Sequence, residues 1–117
     1  MKKYTFSLFF MVAFLVSLSS FADISKSEKE ALIELYKQTN GEAWNTNWDL
    51  SKSADTWYGI TVKNDVVVKI NLFHNNLSGA IPASIGDFKY LVELNLAFNG
   101  LTGELPSEIS KLESLSI

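Results

Sequence analysis

His74 is the only histidine in 117 residues, and cysteine is absent. A catalytic site therefore has few groups to draw on. An imidazole can serve as a general base, but no serine or acid is spaced to complete a triad with His74. The sequence contains no glycine-rich phosphate loop, no HExxH and no Cys/His spacing that holds zinc. Calcium-binding acidic repeats are missing as well. These residue types predict no enzyme, no cofactor and no metal site. What the chain offers instead is side chains suited to binding: Lys69, Asn71, Phe73 and His74, then Glu93, Asn95, Ala97 and Phe98.

Those eight residues form a set because the chain repeats. "VVKINLFHNNLSGAIPASIGDFKY" (67–90) aligns without a gap on "LVELNLAFNGLTGELPSEISKLES" (91–114). Val68/Val92, Asn71/Asn95, Leu72/Leu96, Asn75/Asn99, Leu77/Leu101, Gly79/Gly103, Pro82/Pro106 and Ile85/Ile109 are identical. A fixed period of this size is the mark of a solenoid, in which each unit is one coil. "KINLF" and "ELNLA" read as short parallel strands, with Ile70, Leu72, Leu94 and Leu96 inward and the eight candidate residues outward. This stacking sets Lys69 beside Glu93, Asn71 beside Asn95 and His74 beside Phe98. Asn75 and Asn99 fall where an inward amide can satisfy the backbone of the turn, which predicts a stacked asparagine ladder. Gly79 and Gly103 allow a tight bend, and Pro82 and Pro106 fix an extended or 3₁₀-like return path. Exposed Phe73 and Phe98 mark a partner-binding face, or else they cover neighbouring strand edges.

A solenoid's first coil needs a cover. "DISKSEKEALIELYKQTNG" predicts a helix with a capping-box start at Ser25/Glu28 or Ser27/Glu30 and an end at Asn40-Gly41. Its apolar stripe is Ala31, Leu32, Leu35 and Tyr36, with Ile24 as a staple. Trp44, Trp48 and Trp57 follow, with Tyr58 alongside. They read as an aromatic plug over the open end or as a carbohydrate-stacking platform. "WYGITV", Lys63-Asn64-Asp65 and "VVVKINL" then suggest a hairpin into the first repeat strand.

The series Leu91, Leu94, Leu96, Asn99, Leu101, Gly103, Leu105, Pro106, Ile109 and Leu112 resembles the plant-type, 24-residue leucine-rich repeat. That subclass is typical of plant receptor-like kinases and is found in exported bacterial proteins. The segment "EALIELYKQTNGEAWNTNW…WYGITV" is similar to the N-terminal caps of bacterial members. In plant members a cysteine pair brackets the cap core; here Asp55 and Val62 hold those places, which favours a bacterial source. The resemblance implies an α/β solenoid: a helical, tryptophan-rich cap at 23–66, then right-handed coils with a parallel strand face at 67–117. Its units are 67–90, 91–114 and the start of a third at 115. Ligands of such proteins lie across the concave strand face.

Residues 1–22, "MKKYTFSLFFMVAFLVSLSSFA", combine two early lysines, an apolar run and small residues at Ser20 and Ala22. The pattern predicts a signal peptide cut after Ala22, the alternative being a retained anchor. Removing it takes Lys2 and Lys3 but no acid, leaving 8 basic groups against 13 acidic ones. An acidic exported domain is a poor partner for nucleic acid, and membrane contact would come only through the signal segment or sequence further downstream. The resulting expectation is a secreted or cell-surface recognition module, the N-terminal part of a longer protein, binding a protein, peptide or glycan. The alternatives are the sensor ectodomain of a receptor-like kinase, whose catalytic part lies beyond Ile117, and a structural adhesin array. Export from a bacterial host is expected to yield a chain whose N-terminal sequence begins at Asp23. Membrane-bound protein that still starts at Met1 would establish the anchor instead.

Overall fold

The computed structural model describes residues 23–115. The signal-peptide reading of 1–22 and the last two residues lie outside them. Among the described residues an α-helix, α1 (Lys26–Gln38), comes first, followed by five short strands: β1 (Ile60–Lys63), β2 (Val66–Asn71), β3 (Ser78–Gly79), β4 (Glu93–Asn95) and β5 (Gly100–Leu101). Short 3₁₀ turns join them, the two in the repeats at Ala83–Asp87 and Ser107–Lys111.

Helix α1 starts at Ser25, whose Oγ accepts from the N–H of Glu28 at 3.1 Å. This is half of the predicted capping box. The other half is absent, because the Glu28 side chain does not turn back. It is buried, and its Oε1 accepts from the N–H of Val67 at 3.0 Å, 39 residues away. The carboxylate thus holds the first repeat strand to the cap helix. Ala31, Leu32, Leu35 and Tyr36 are buried as the stripe requires, and Ile24 with them. The helix ends on Thr39, and the left-handed residue after it is Asn40 (φ 65°), with Gly41 starting the next turn.

The tryptophans are the plug. Trp44, Trp48 and Trp57 are all buried. Trp48 stacks on Trp57 with centroids 4.9 Å apart and on Tyr36 at 5.5 Å, while Trp44 meets Trp48 edge-on at 5.0 Å. Each indole N–H donates to a backbone carbonyl: Trp44 to Thr39, Trp48 to Tyr58 and Trp57 to Asp49. No indole face is left for a sugar. Only Tyr58 of this group is exposed.

β1 and β2 form the expected antiparallel hairpin, turning on Asn64 (φ 52°) and Asp65 (φ 63°). Two successive residues with positive φ match the turn type whose twist suits a hairpin. β2 pairs with β4 in parallel, residues 24 apart: Lys69 with Glu93, Ile70 with Leu94, Asn71 with Asn95. A second parallel pair, β3 with β5, was not foreseen. Its partners are 22 apart, Ser78 with Gly100 and Gly79 with Leu101. Gly79 has φ 82°, and a Cβ on it would come within 2.5 Å of the Gln38 carbonyl oxygen. Only glycine lets this strand close against the end of α1.

Ile70, Leu72, Leu77, Ile85, Phe88 and Leu91 fill the space between the coils. The second coil's apolar side is less covered. Leu94 and Leu112 are buried, Leu96, Leu101 and Ile109 partly so, and Leu105 is exposed. With Ile81, all of these but Leu112 line an open hollow of about 260 Å³.

Burial raises the Glu28 carboxyl above its usual value of 4.5, the Val67 hydrogen bond opposing this in part. A native value raised above the unfolded one stabilises the fold below the unfolded pKa, and that stability is lost as pH rises through the native pKa. Glu28→Gln keeps an acceptor for Val67 and removes the titration. In urea melts the variant is expected to gain on the wild type between pH 4.5 and neutrality. A difference that stays constant across this range would show that Glu28 does not titrate in the fold.

Candidate functional site

The turn after each strand leaves inward backbone groups that no neighbouring strand can pair, and the two asparagines take them. Asn99 Oδ1 accepts from the N–H of Asn75 and of Leu77, both at 2.9 Å. Its Nδ2 donates to the carbonyls of Leu72 and Leu96 at 2.9 Å and of Ala97 at 3.1 Å. The amide therefore binds its own turn and the turn of the coil before it. Asn75, 2 % exposed, repeats the reach into the cap: Oδ1 accepts from Thr46 N–H at 2.8 Å, and Nδ2 donates to Thr46 O at 3.1 Å. The cap thus supplies the first rung of the ladder at Thr46, within "WNTNW". No periodicity marks that residue in the sequence.

The strand face carries the eight candidate residues where the 24-residue spacing puts them. Lys69, Asn71, Phe73, His74, Ala97 and Phe98 are exposed, and Glu93 and Asn95 partly so. Lys69 Nζ lies 3.9 Å from Glu93 Oε1. Both side chains are well solvated, so the pair adds little stability, but it leaves this strip of the face close to neutral. The backbone keeps the same register here, with His74 N–H donating to the Ala97 carbonyl at 3.0 Å. The ring that meets Phe98 is Phe73, 5.2 Å away and at 80°, and the His74 ring lies 6.1 Å from Phe73. His74 (φ 50°) and Phe98 (φ 57°) both occupy the left-handed region, which is sparsely populated for bulky residues. Phe98 is left 76 % exposed and Phe73 44 % exposed. Unusual backbone that displays aromatic rings is the kind of strain found at binding sites.

The outward asparagines are less free than a purely exposed position. Asn71 Oδ1 accepts from Phe73 N–H at 3.2 Å, and Asn95 Oδ1 from Ala97 N–H at 3.1 Å. Each side chain bends the chain out of its strand in an Asx turn. The identity of Asn71 and Asn95 in the aligned units was the signal for this, though it fitted a surface position equally well. His74 has no acid or hydroxyl arranged to make it a base. Among the described residues, no three His, Cys, Asp or Glu side chains converge to hold a metal, and no helix is long and apolar enough to cross a membrane.

The sequence profile of the family described as Leucine Rich Repeat matches residues 67–88 and 90–112. Polygalacturonase inhibitor 1 of Arabidopsis thaliana is 30% identical over 94 residues, covering 77% of this chain and 28% of the inhibitor. The LRR receptor-like serine/threonine-protein kinase ERECTA, also of Arabidopsis thaliana, is 35% identical over 89 residues, covering 70% of this chain and 9% of the kinase. The chain spans less than a third of the length of either relative. The LRR ectodomain of the receptor kinase SOBIR1 from Arabidopsis thaliana superposes with a TM-score of 0.63 at 20% identity, over 82% of this chain and 53% of that ectodomain. At that identity the likeness is one of fold.

The hydrogen bonds of the two asparagine sets predict unequal effects. Asn99→Ala strands two N–H groups and a carbonyl between coils, and is expected to lower stability by about 1–3 kcal/mol. Asn95→Ala loses one exposed bond and is expected to stay near about 0.5 kcal/mol. Equal shifts in urea melts would mean that the inner amide is no more important than the outer one.

Proposed function

The chain belongs to the leucine-rich-repeat family, its unit being of the plant type, and we propose that it is a recognition module that binds a protein or peptide outside the cytoplasm. The observation that carries this reading is the aromatic pair Phe73–Phe98, held open to solvent at the end of a strand face that is otherwise polar and nearly neutral. Aromatic side chains bury large area at little entropic cost and are enriched among interface hot spots. Lys69, Asn71, His74, Glu93, Asn95 and Ala97 make the surrounding contact surface, and Asn75 and Asn99 keep it rigid from below. Two relatives point the same way. One is named for inhibiting an enzyme and the other for being a receptor.

Export rests on the leader-like run at 1–22, and the organisation as cap 23–66 followed by coils from 67 rests on the repeat alignment. A second reading makes this chain the sensor part of a membrane-bound kinase. It is favoured by the receptor-kinase relative and draws on the same strand face.

The reading is tested by retention of extracellular proteins on immobilised full chain in three forms: wild type, Phe73→Ala/Phe98→Ala, and Lys89→Ala/Tyr90→Ala, which alters two exposed residues of the loop leading into β4. A partner of the strand face is retained by the first and third and lost from the second. Retention by all three alike, or loss from the loop variant alone, would move the binding site elsewhere.

A further inference from the structure

Asn71 and Asn95 do more than shape a turn. Because each Oδ1 accepts the N–H two residues on, the amide plane is fixed and Nδ2 is the atom left pointing away from the turn. Among the described residues neither Nδ2 has a protein partner. Parallel pairing sets Asn71 opposite Asn95, and neighbouring strands run about 4.8 Å apart. A carbonyl oxygen has two lone pairs and takes N–H donors at about 2.9 Å. Two donors sharing one such oxygen along its lone pairs stand about 5 Å apart, which the strand spacing supplies.

We infer that the Asn71–Asn95 amide pair clasps one backbone carbonyl of an extended, uncharged polypeptide segment, and that a neighbouring apolar side chain of that segment enters the corner between Phe73 and Phe98. This rests on the strand-face reading and gives it a ligand chemistry. The segment is extended because a helix already spends its inner carbonyls on its own N–H groups. It is uncharged because Lys69 and Glu93, the charged groups in this register, are paired with each other and leave this strip of the face close to neutral. A carboxylate would arrive without a free counter-charge. A glycan fits less well. The two phenylalanine rings stand at 80°, which makes a corner for a side chain and not a flat platform for a pyranose, and the three indole rings are buried in the cap.

The test uses the full chain to select from a displayed library of random short peptides, followed by titration calorimetry of the enriched peptides. Asn71→Asp and Asn95→Asp are the informative variants, since a carboxylate still accepts the turn N–H but replaces the outward donor with a charged acceptor. Enriched peptides are expected to be apolar and free of charge. Their affinity is expected to fall about tenfold or more with either Asp variant, the loss of one buried hydrogen bond, to fall again with Phe98→Ala, and to change little with salt. As a check that does not depend on the variants, the side-chain amide resonances of Asn71 and Asn95 are expected to shift when peptide is added to the wild type. Peptides that require Phe98 but tolerate both Asp variants, or leave those resonances unmoved, would overturn the amide clasp while the strand face stands as a binding site. Binding of neutral oligosaccharides in place of peptides would overturn the polypeptide ligand. Failure of both probes to engage the face would overturn the clasp and the strand-face reading together.

Discussion

A coil that closes on itself in 24 residues buries backbone it cannot pair. Strands β2 and β4 satisfy their own ladder, but the turn after each one points N–H groups toward the core. A side chain that is donor and acceptor at once, short enough to stay inside the turn, has to meet them. Asparagine does so, and each amide reaches one coil back. The first coil's turn is therefore completed by the second coil's amide, and the first coil's amide binds Thr46 in the segment before it. The aromatic corner depends on this as well. Phe73 sits two residues before Asn75, and Phe98 sits directly before Asn99, the asparagines whose bonds fix the bend. Without those bonds the left-handed residues His74 and Phe98 would relax toward commoner backbone, and the two rings would part.

Domains of this size often rely on disulfides or other staples, and this chain has no cysteine. Its cap is held by three other links. The indoles interlock with Tyr36 and tie three separate carbonyls. Glu28 reaches Val67 across 39 residues. Thr39, at the end of α1, gives its carbonyl to both Trp44 Nε1 and the N–H of Ser78 in β3. The last link explains the size limit at Gly79, since any side chain there would push the strand off the helix end.

Periodicity made the repeats legible. Ile70, Leu72, Leu77, Ile85 and the two asparagines recur at a spacing that allows only one side to be core, and the outward set follows from alternation. Elements fixed by single, non-repeating contacts were not legible. Glu28 looked like a capping-box residue because local sequence shows only its neighbours, whereas its partner lies far along the chain. Thr46 carries no mark of being the ladder's first rung. The second sheet escaped notice because Ser78-Gly79 and Gly100-Leu101 are not equivalent positions in the two units, and a 24-residue comparison never aligns them. The Phe73–Phe98 ring contact was not foreseen for a related reason: repeat arithmetic places backbone and leaves ring direction open.

The two sheets disagree about the period. On the strand face, equivalent residues of the two coils stand side by side, 24 apart. In the β3–β5 pair the partners are 22 apart, so equivalent residues there are slipped by two positions, or about 7 Å along the strand. Combined with the distance between strands, this separates them by roughly 8 Å on an oblique line. The slip turns one coil against the other, as steps turn around a spiral stair. A ligand whose own chemistry recurs every 5 Å can keep pace with rows such as Asn71–Asn95, but it falls out of phase on the other sheet. Of the two sheets, the β2–β4 face alone has the graduations of a ruler.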